Sequence, residues 1–274
     1  MASRGSHNYL GTVTALNGGA ADWIAAAAAR TVAASTARLF AAWTRNSPLP
    51  VDADRRCEGV ADLAARRARV SQSLFFTEGA TAEFLTDGAG AKFTGTGDDG
   101  PGLGDLAHNE MIYDGANAYV RVADRWTGFF LADPGGPRAV SDPLWPLDAL
   151  FGAREDAVEI GADAVRGVPA TRCRLTIDLA RADAALTAGV SVPTGPYRSL
   201  SRLPAEVWLD SAGLARRISV NSEPTAATDA QVWSVVELWD FGVAADITPP
   251  APGELLAPSE AYRLAEEEPH ERKV

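Results

Sequence analysis

The stretch that most constrains this chain is Ala170-Thr171-Arg172-Cys173-Arg174-Leu175-Thr176-Ile177-Asp178-Leu179. Cys173, Leu175, Ile177 and Leu179 share one side of it, and Arg172, Arg174, Thr176 and Asp178 the other. A period of two is what a half-buried strand needs, because successive side chains leave opposite faces of the pleat. Such a strand must find neighbours, and the sequence supplies them. In 205–210, Val207 and Leu209 oppose Glu206, Trp208 and Asp210. Asp210-Ser211-Ala212-Gly213 reads as a turn, with a glycine free to take positive φ, and 214–220 returns. Residues 232–241 follow as another strand. From 157 to 250 the chain therefore predicts a run of antiparallel strands, broken by a Gly/Ser/Pro loop over 187–202.

Upstream, residues 1–19 have no clear period and are expected to form a flexible N-terminal segment. Asp22 predicts an N-cap for an Ala-rich helix over 23–34. A strand is expected over 36–45, a second, longer one over 59–76, and mostly loop over 84–104. Met111-Ile112-Tyr113, Asp114-Gly115-Ala116-Asn117 and Ala118-Tyr119-Val120-Arg121-Val122 spell a hairpin. Ser141-Asp142-Pro143 starts a short helix with Leu144, Leu147, Leu150 and Phe151 on one face, and Gly152 ends it. The resulting organisation is a flexible segment 1–19, a β domain 20–250 and a mobile acidic tail 251–274.

In order and spacing these motifs resemble the LolA/LprG-like superfamily of actinobacterial (lipo)proteins. The resemblance is carried by Ile112-Tyr113-Asp114-Gly115 with Ala118-Tyr119-Val120-Arg121, and by Asp142-Pro143 before an apolar helix. It continues through Gly161 to Gly167-Val168-Pro169 ahead of 172–178, Val207-Trp208-Leu209-Asp210, 213–217 and Asp240-Phe241-Gly242, and spans about 23–250. The fold class it implies is mainly β with a few helices (α+β): a curved, half-open antiparallel sheet or barrel, closed by a helical lid over an apolar space. The resemblance further implies that acyl chains or a hydrophobic partner are held there, in a family normally exported and lipid-anchored.

Bulk properties narrow the partners. A formal charge of −11 opposes nucleic acid or an anionic bilayer. No apolar run is long enough for a transmembrane helix, and the Ala-rich stretch 20–34, broken by Asp22 and Arg30, lacks the order of a secretory signal. Without a signal or lipid-bearing cysteine, the chain as written reads as cytoplasmic. Cys57 and Cys173 are expected to be buried free thiols rather than a disulfide. Gly95-Thr96-Gly97-Asp98-Asp99-Gly100 has the glycine spacing of a dinucleotide loop, but Pro101-Gly102 follows where a helix should start, so a plain loop is expected. His7, His108 and His270 lie far apart, with no metal-ligand spacing. No cofactor, metal or catalytic group is expected.

What remains is apolar surface. Leu175, Ile177, Val207, Leu209, Ile218, Val236 and Leu238 can face one space. Their pattern fits a closed sandwich, where they interdigitate with a second sheet, and equally an open sheet, where they line a cavity. With the resemblance, these residues become candidate cavity lining, and Leu144, Leu147, Leu150 and Phe151 the candidate lid. The function expected is non-catalytic binding of a lipid or other hydrophobic small molecule. The alternative is a regulatory or scaffold protein that binds a protein partner with its interior packed. Trp208 and Trp239 share their strand sides with Glu206 and Glu237, so two tryptophans are expected on the outer face. Either a terminal segment covers them or they form a protein-partner patch.

Overall fold

In the computed structural model the described residues are 19–46, 53–76, 83–87, 90–94, 109–115, 117–130, 142–186, 202–222 and 231–267. The chain enters through helix α1 (Ala20–Ala33) and then builds a meander: β1 (Thr36–Asn46), β2 (Ala53–Asp62) and β3 (Arg67–Phe76). After a separate hairpin of β4 (Glu83–Asp87) and β5 (Gly90–Thr94), β6 (Asn109–Asp114), β7 (Asn117–Val122) and β8 (Arg125–Phe130) extend it. Helix α2 (Trp145–Ala149) and a 3-10 turn over Leu150–Gly152 lead into a second meander. This runs through β9 (Val158–Val165), β10 (Val168–Asp178), helix α3 (Leu179–Ala185), β11 (Arg202–Asp210), β12 (Ala215–Ser222) and β13 (Gln231–Trp239). A short β14 (Leu255–Leu256) and helix α4 (Pro258–Glu267) complete the described chain.

The two meanders join where β13 pairs with β1, giving one sheet of 12 strands in the order β14-β8-β7-β6-β3-β2-β1-β13-β12-β11-β10-β9. Every pairing is antiparallel except that of β14 with β8. The ends do not meet, so the sheet is open and not a barrel. That is the expected class, mainly β with a few helices.

Register explains how one apolar face runs across so many strands. Cys173 lies opposite Val207, Val207 opposite Ile218, Ile218 opposite Val236, Val236 opposite Ala41, Ala41 opposite Cys57, and Cys57 opposite Gln72. Opposed residues of an antiparallel pair put their side chains on the same face, and all of these are buried. Helices α1, α2 and α3 make their main strand contacts with β10, β12 and β13 on this inner face.

Several local expectations are corrected. The segment 59–76 is not one strand: β2 ends at Asp62, and Arg66 takes φ 58° in the turn before β3. The Asp62 carboxylate accepts from the Ala65 N–H at 2.8 Å and holds that turn. Within 84–104, expected as loop, β4 and β5 pair as a hairpin. Leu179 does not finish a strand; it opens α3, because the Asp178 carboxylate caps that helix through the Arg181 N–H at 3.1 Å. Helix α1 begins before Asp22, at Ala20, and the Glu155 carboxylate accepts from its Ala21 N–H at 3.4 Å. Residues 251–267 form a 3-10 turn, β14 and α4 where a tail was expected. All but the last residue of the expected flexible segment 1–19 and of the loop 187–202, together with the glycine motif 95–100, His7, His108 and His270, lie outside the described residues.

The outer face carries both tryptophans, as the strand sides require, but not as an open patch. Trp208 is only 5% exposed. It is covered by the tip of the β9–β10 hairpin, where Val165, Ala170 and Trp208 form a small cluster. Its indole N–H donates to Asp163 at 2.8 Å, and the guanidinium carbons of Arg172 and Arg217 sit 5.1 and 5.2 Å from its ring centre. Arg166, at that tip, reaches across to Trp239, with its guanidinium carbon 3.6 Å from the ring centre, and donates to Glu237 at 2.9 Å. The expected protein-partner patch at Trp208 and Trp239 is therefore largely occupied from within, by a neighbouring hairpin. Over the other half, residues after β13 run as a strap. The Thr36 hydroxyl donates to Val243 O at 2.6 Å, and Ile247 packs with Ile112 and Tyr119 before β14 seals the β8 edge.

Candidate functional site: an apolar inner face under a helical cover

The cover starts at Asp142. Its buried carboxylate accepts from the Leu144 N–H at 2.8 Å, which fixes the chain direction into α2, and Pro146 sits in the first turn where its missing N–H costs nothing. Leu144, Leu147 and Leu150 are fully buried and Phe151 half-buried. Gly152 ends the segment at a position where a Cβ would collide with the Asp178 carbonyl and Ala182, so the close approach of the cover to α3 requires glycine. Helix α1 adds Ile24, Ala27 and Ala28. It is pinned by Thr31, whose buried hydroxyl accepts from the Ala215 N–H at 2.8 Å and donates to Ala27 O at 2.8 Å.

Facing this cover are Leu175 and Ile177 from β10, Val207 and Leu209 from β11, Ile218 from β12, and Val236 and Leu238 from β13. The structure brings every one of these candidates, and the Leu144, Leu147, Leu150 and Phe151 stripe, into one continuous apolar cluster.

Three features of the site had no clear sequence signal. The cluster continues onto β1, β2, β3, β6 and β7, largely through small side chains, Ala37, Ala41, Cys57, Ala61 and Ala68 among them, together with Leu39, Val70, Met111 and Tyr113. Alanine carries little periodic hydrophobic signal. The second is Asp148, at 0% exposure in α2, whose carboxylate lies 2.9 Å from the Arg66 guanidinium. Arg66 also donates to Leu63 O at 2.9 Å, so the β2–β3 turn delivers a cation to the cover. The only hint was an acid set among apolar helix residues. The third is the Tyr113 hydroxyl, which donates to Gln72 Oε1 at 3.0 Å within the same buried face.

Both cysteines are free and buried. Burial pushes the Cys57 thiol up to about 12, with the Asp142 charge adding to the effect, and burial pushes Cys173 up to about 11 with Glu159 adding. Neither is a nucleophile or a metal ligand near neutral pH. They sit on β2 and β10 with four strands between them, too far apart for a disulfide. Among the described residues no three His, Cys, Asp or Glu side chains converge as a metal site. Among the same residues no helix is long and apolar enough to cross a membrane.

Among solved structures the chain is similar to LprF from Mycobacterium bovis, with 14% identity, 85% of this chain and 97% of that one covered, and a TM-score of 0.47. It is similar also to the lipoprotein LppX from Mycobacterium tuberculosis, with 12% identity, coverage of 82% and 98%, and a TM-score of 0.42. A LolA superfamily protein from Nitrosomonas europaea matches at 7% identity, with coverage of 85% and 98% and a TM-score of 0.31. These are likenesses of fold alone. No family model matches the sequence, and no curated protein matches it.

Proposed function

We propose that the protein is a non-catalytic holder of a hydrophobic ligand, a lipid or acyl chain, taken between the inner face of the sheet and the helices that cover it. The observation that supports this most is the continuity of the inner face. The described helices pack chiefly over β10, β12 and β13, while the apolar floor runs on across β1, β2, β3, β6 and β7, where small side chains stand beside Leu39, Val70, Met111 and Tyr113. A floor of that kind takes a chain by apolar contact: each methylene moved from water contributes about 0.8 kcal/mol, so affinity needs few polar groups. The interior chemistry also suits holding better than reacting, because both thiols are locked in the protonated form and the buried Asp148 carboxylate is spoken for by Arg66.

The test uses the full chain, gently purified, in native mass spectrometry, where a co-purified lipid is expected as added mass. In parallel, Leu147→Asp places a carboxylate in the middle of the cover. It should abolish uptake of a hydrophobic fluorescent probe such as N-phenyl-1-naphthylamine while leaving the β-sheet circular dichroism in place. Unchanged uptake in that variant means that α2 does not cover the ligand. Neither bound lipid nor probe uptake in the wild type would leave a packed interior and the protein-binding alternative.

A further inference from the structure

The two edges of the sheet are finished differently. At one, β14 pairs with β8, and the Arg125 guanidinium reaches Glu260 of α4 at 3.4 Å. At the other, β9 is the last strand, no described strand pairs with its far side, and most of its residues are exposed. The large hydrophobic side chains that stand exposed among the described residues are Val158, at 46%, and Ile160, at 37%, and both belong to β9. The two-residue turn Arg166-Gly167, with φ of 49° and 79°, fixes which backbone groups face outward. Residues flanking such a turn exchange both hydrogen bonds, and bonded pairs then alternate along the strands. Val165 and Asp163 therefore bond to β10, while Ala164 and Ala162 turn their N–H and C=O groups to the free edge. The Ala164 N–H meets the Asp163 carboxylate at 2.7 Å, as an outward donor can. Ala162 keeps its outward aim up to the bulge beside Gly161, where the register shifts.

We infer that this edge receives an extended segment of another protein, with lysine or arginine between apolar residues, added as the next strand of the sheet. The chemistry of the edge selects that occupant. From 155 to 164 the chain carries Glu155, Asp156, Glu159 and Asp163 and no lysine, arginine or histidine. On the strands inside the sheet, carboxylates are matched by arginine: Glu206 by Arg172, Asp210 by Arg216 and Glu237 by Arg217. Among the described residues neither Glu159 nor Asp163 makes such an ion pair. A second copy of this edge would set like charges opposite one another, which destabilises a strand pair, and the whole chain carries −11. A cationic strand gains ion pairs from the same geometry, and its apolar residues cover Val158 and Ile160. In strand addition the main-chain bonds supply affinity and the alternate side chains specificity. The bulge beside Gly161 bends the strand, so the pairing stretch is short and the affinity modest. None of this requires a ligand in the apolar interior.

The experiment titrates the full-length protein into a fluorescein-labelled peptide of alternating lysine and valine and reads the anisotropy. Wild type should bind this peptide. It should bind roughly tenfold more weakly both a peptide with glutamate for lysine and the lysine peptide N-methylated at alternate residues, the scale of one or two hydrogen bonds. Ala162→Pro removes the outward N–H at a position where an edge strand tolerates proline, and should weaken the lysine peptide roughly tenfold with the β-sheet circular dichroism unchanged. Glu159→Lys should weaken it by roughly fivefold, the upper range for one exposed ion pair. No binding of the lysine peptide by wild type overturns the inference. So does equal binding of the N-methylated or the glutamate peptide, or wild-type affinity in Ala162→Pro or Glu159→Lys. If Ala162→Pro fails to fold, the two control peptides on wild type carry the test. A wild-type dimer in sedimentation velocity that Ala162→Pro dissociates would assign the edge to a second copy and overturn the basic segment.

Discussion

Two halves of the same inner face solve the same packing problem in opposite ways. Over β10 to β13 the floor is built from large branched side chains, Leu175, Ile177, Val207, Ile218, Val236 and Leu238, and helices α1 to α3 press directly on them. Over β1 to β3 the floor is mostly small, with Ala37, Ala41, Cys57, Gly59, Ala61 and Ala68 beside the larger Leu39 and Val70. At Gly59 a Cβ would run into the Arg69 carbonyl, so β2 and β3 approach too closely there for any side chain. Large residues against helices make a core that holds the fold. Small residues lower the floor, and in our proposal the space they leave belongs to the ligand.

The largest expected effect lies where the halves are tied together. Asp148 in α2 belongs to the cover of the first half and Arg66 to the β2–β3 turn of the second. Arg66→Ala leaves the carboxylate buried without its cation and should cost roughly 3–5 kcal/mol in urea unfolding. Replacing both partners, Arg66→Met with Asp148→Leu, should recover most of that loss, because an apolar pair of similar volume needs no compensation. If the single variant unfolds with the wild-type midpoint, the ion pair does not tie the halves.

Next in size are matched substitutions, one in each half. Ile218→Ala removes a fully buried side chain beneath the helices and should cost about 2–4 kcal/mol. Ala61→Leu adds bulk to the small-residue floor. If that floor faces ligand space, the variant should lose probe binding at a cost below about 1 kcal/mol. If protein already fills the space, overpacking should cost about 1–3 kcal/mol. A loss of stability as large as that of Ile218→Ala would erase the distinction between the halves.

The large-residue half was the more legible in sequence, and the reason is physical. Period-two alternation in 170–178 and 205–210 is strong when one face carries Leu, Ile and Val and the other Arg, Glu and Asp, so strands, faces and candidate lining residues could all be read. Asp142-Pro143 with the Leu144, Leu147, Leu150 and Phe151 stripe gave the cover. The small-residue half was less legible: β1 was read over 36–45, but β2 and β3 were not separated, because Ala and Gly carry little hydrophobic contrast. Its β2–β3 turn was hidden as well, since Leu63-Ala64-Ala65-Arg66 contains no Gly, Pro, Asn or Asp and puts an arginine at positive φ. The Arg66–Asp148 pair and the Gln72–Tyr113 bond join residues far apart in the chain, and no local pattern announces either. The covering of Trp208 failed for the same reason: the side it faces is local, but what lies over it is tertiary.

The smallest effect concerns how the large-residue half is clasped from outside as well as inside. Helices press on its inner face, and the β9–β10 tip folds over its outer face through Asp163, which accepts the Trp208 indole N–H. That hydrogen bond, with the Ala164 N–H, holds the Asp163 carboxyl below its usual range despite a small opposing effect of desolvation. A folded pKa below the unfolded value, about 3.9 for Asp, means that the folded state prefers the ionised form. Its stabilisation is therefore complete above about pH 4 and fades as pH falls through the folded pKa. Asp163→Asn keeps an acceptor oxygen but removes the charge, so it should be slightly less stable than wild type at pH 7. The difference should shrink steadily below about pH 4, read as the gap between urea midpoints across the pH range. Because the carboxylate is exposed, the gap should stay well below that of Ile218→Ala. A gap of the same size at pH 7 and pH 2.5 would show that the charge of Asp163 plays no part in the clasp. The tip would then be held by Val165, Ala170 and the Arg166 stack on Trp239 alone.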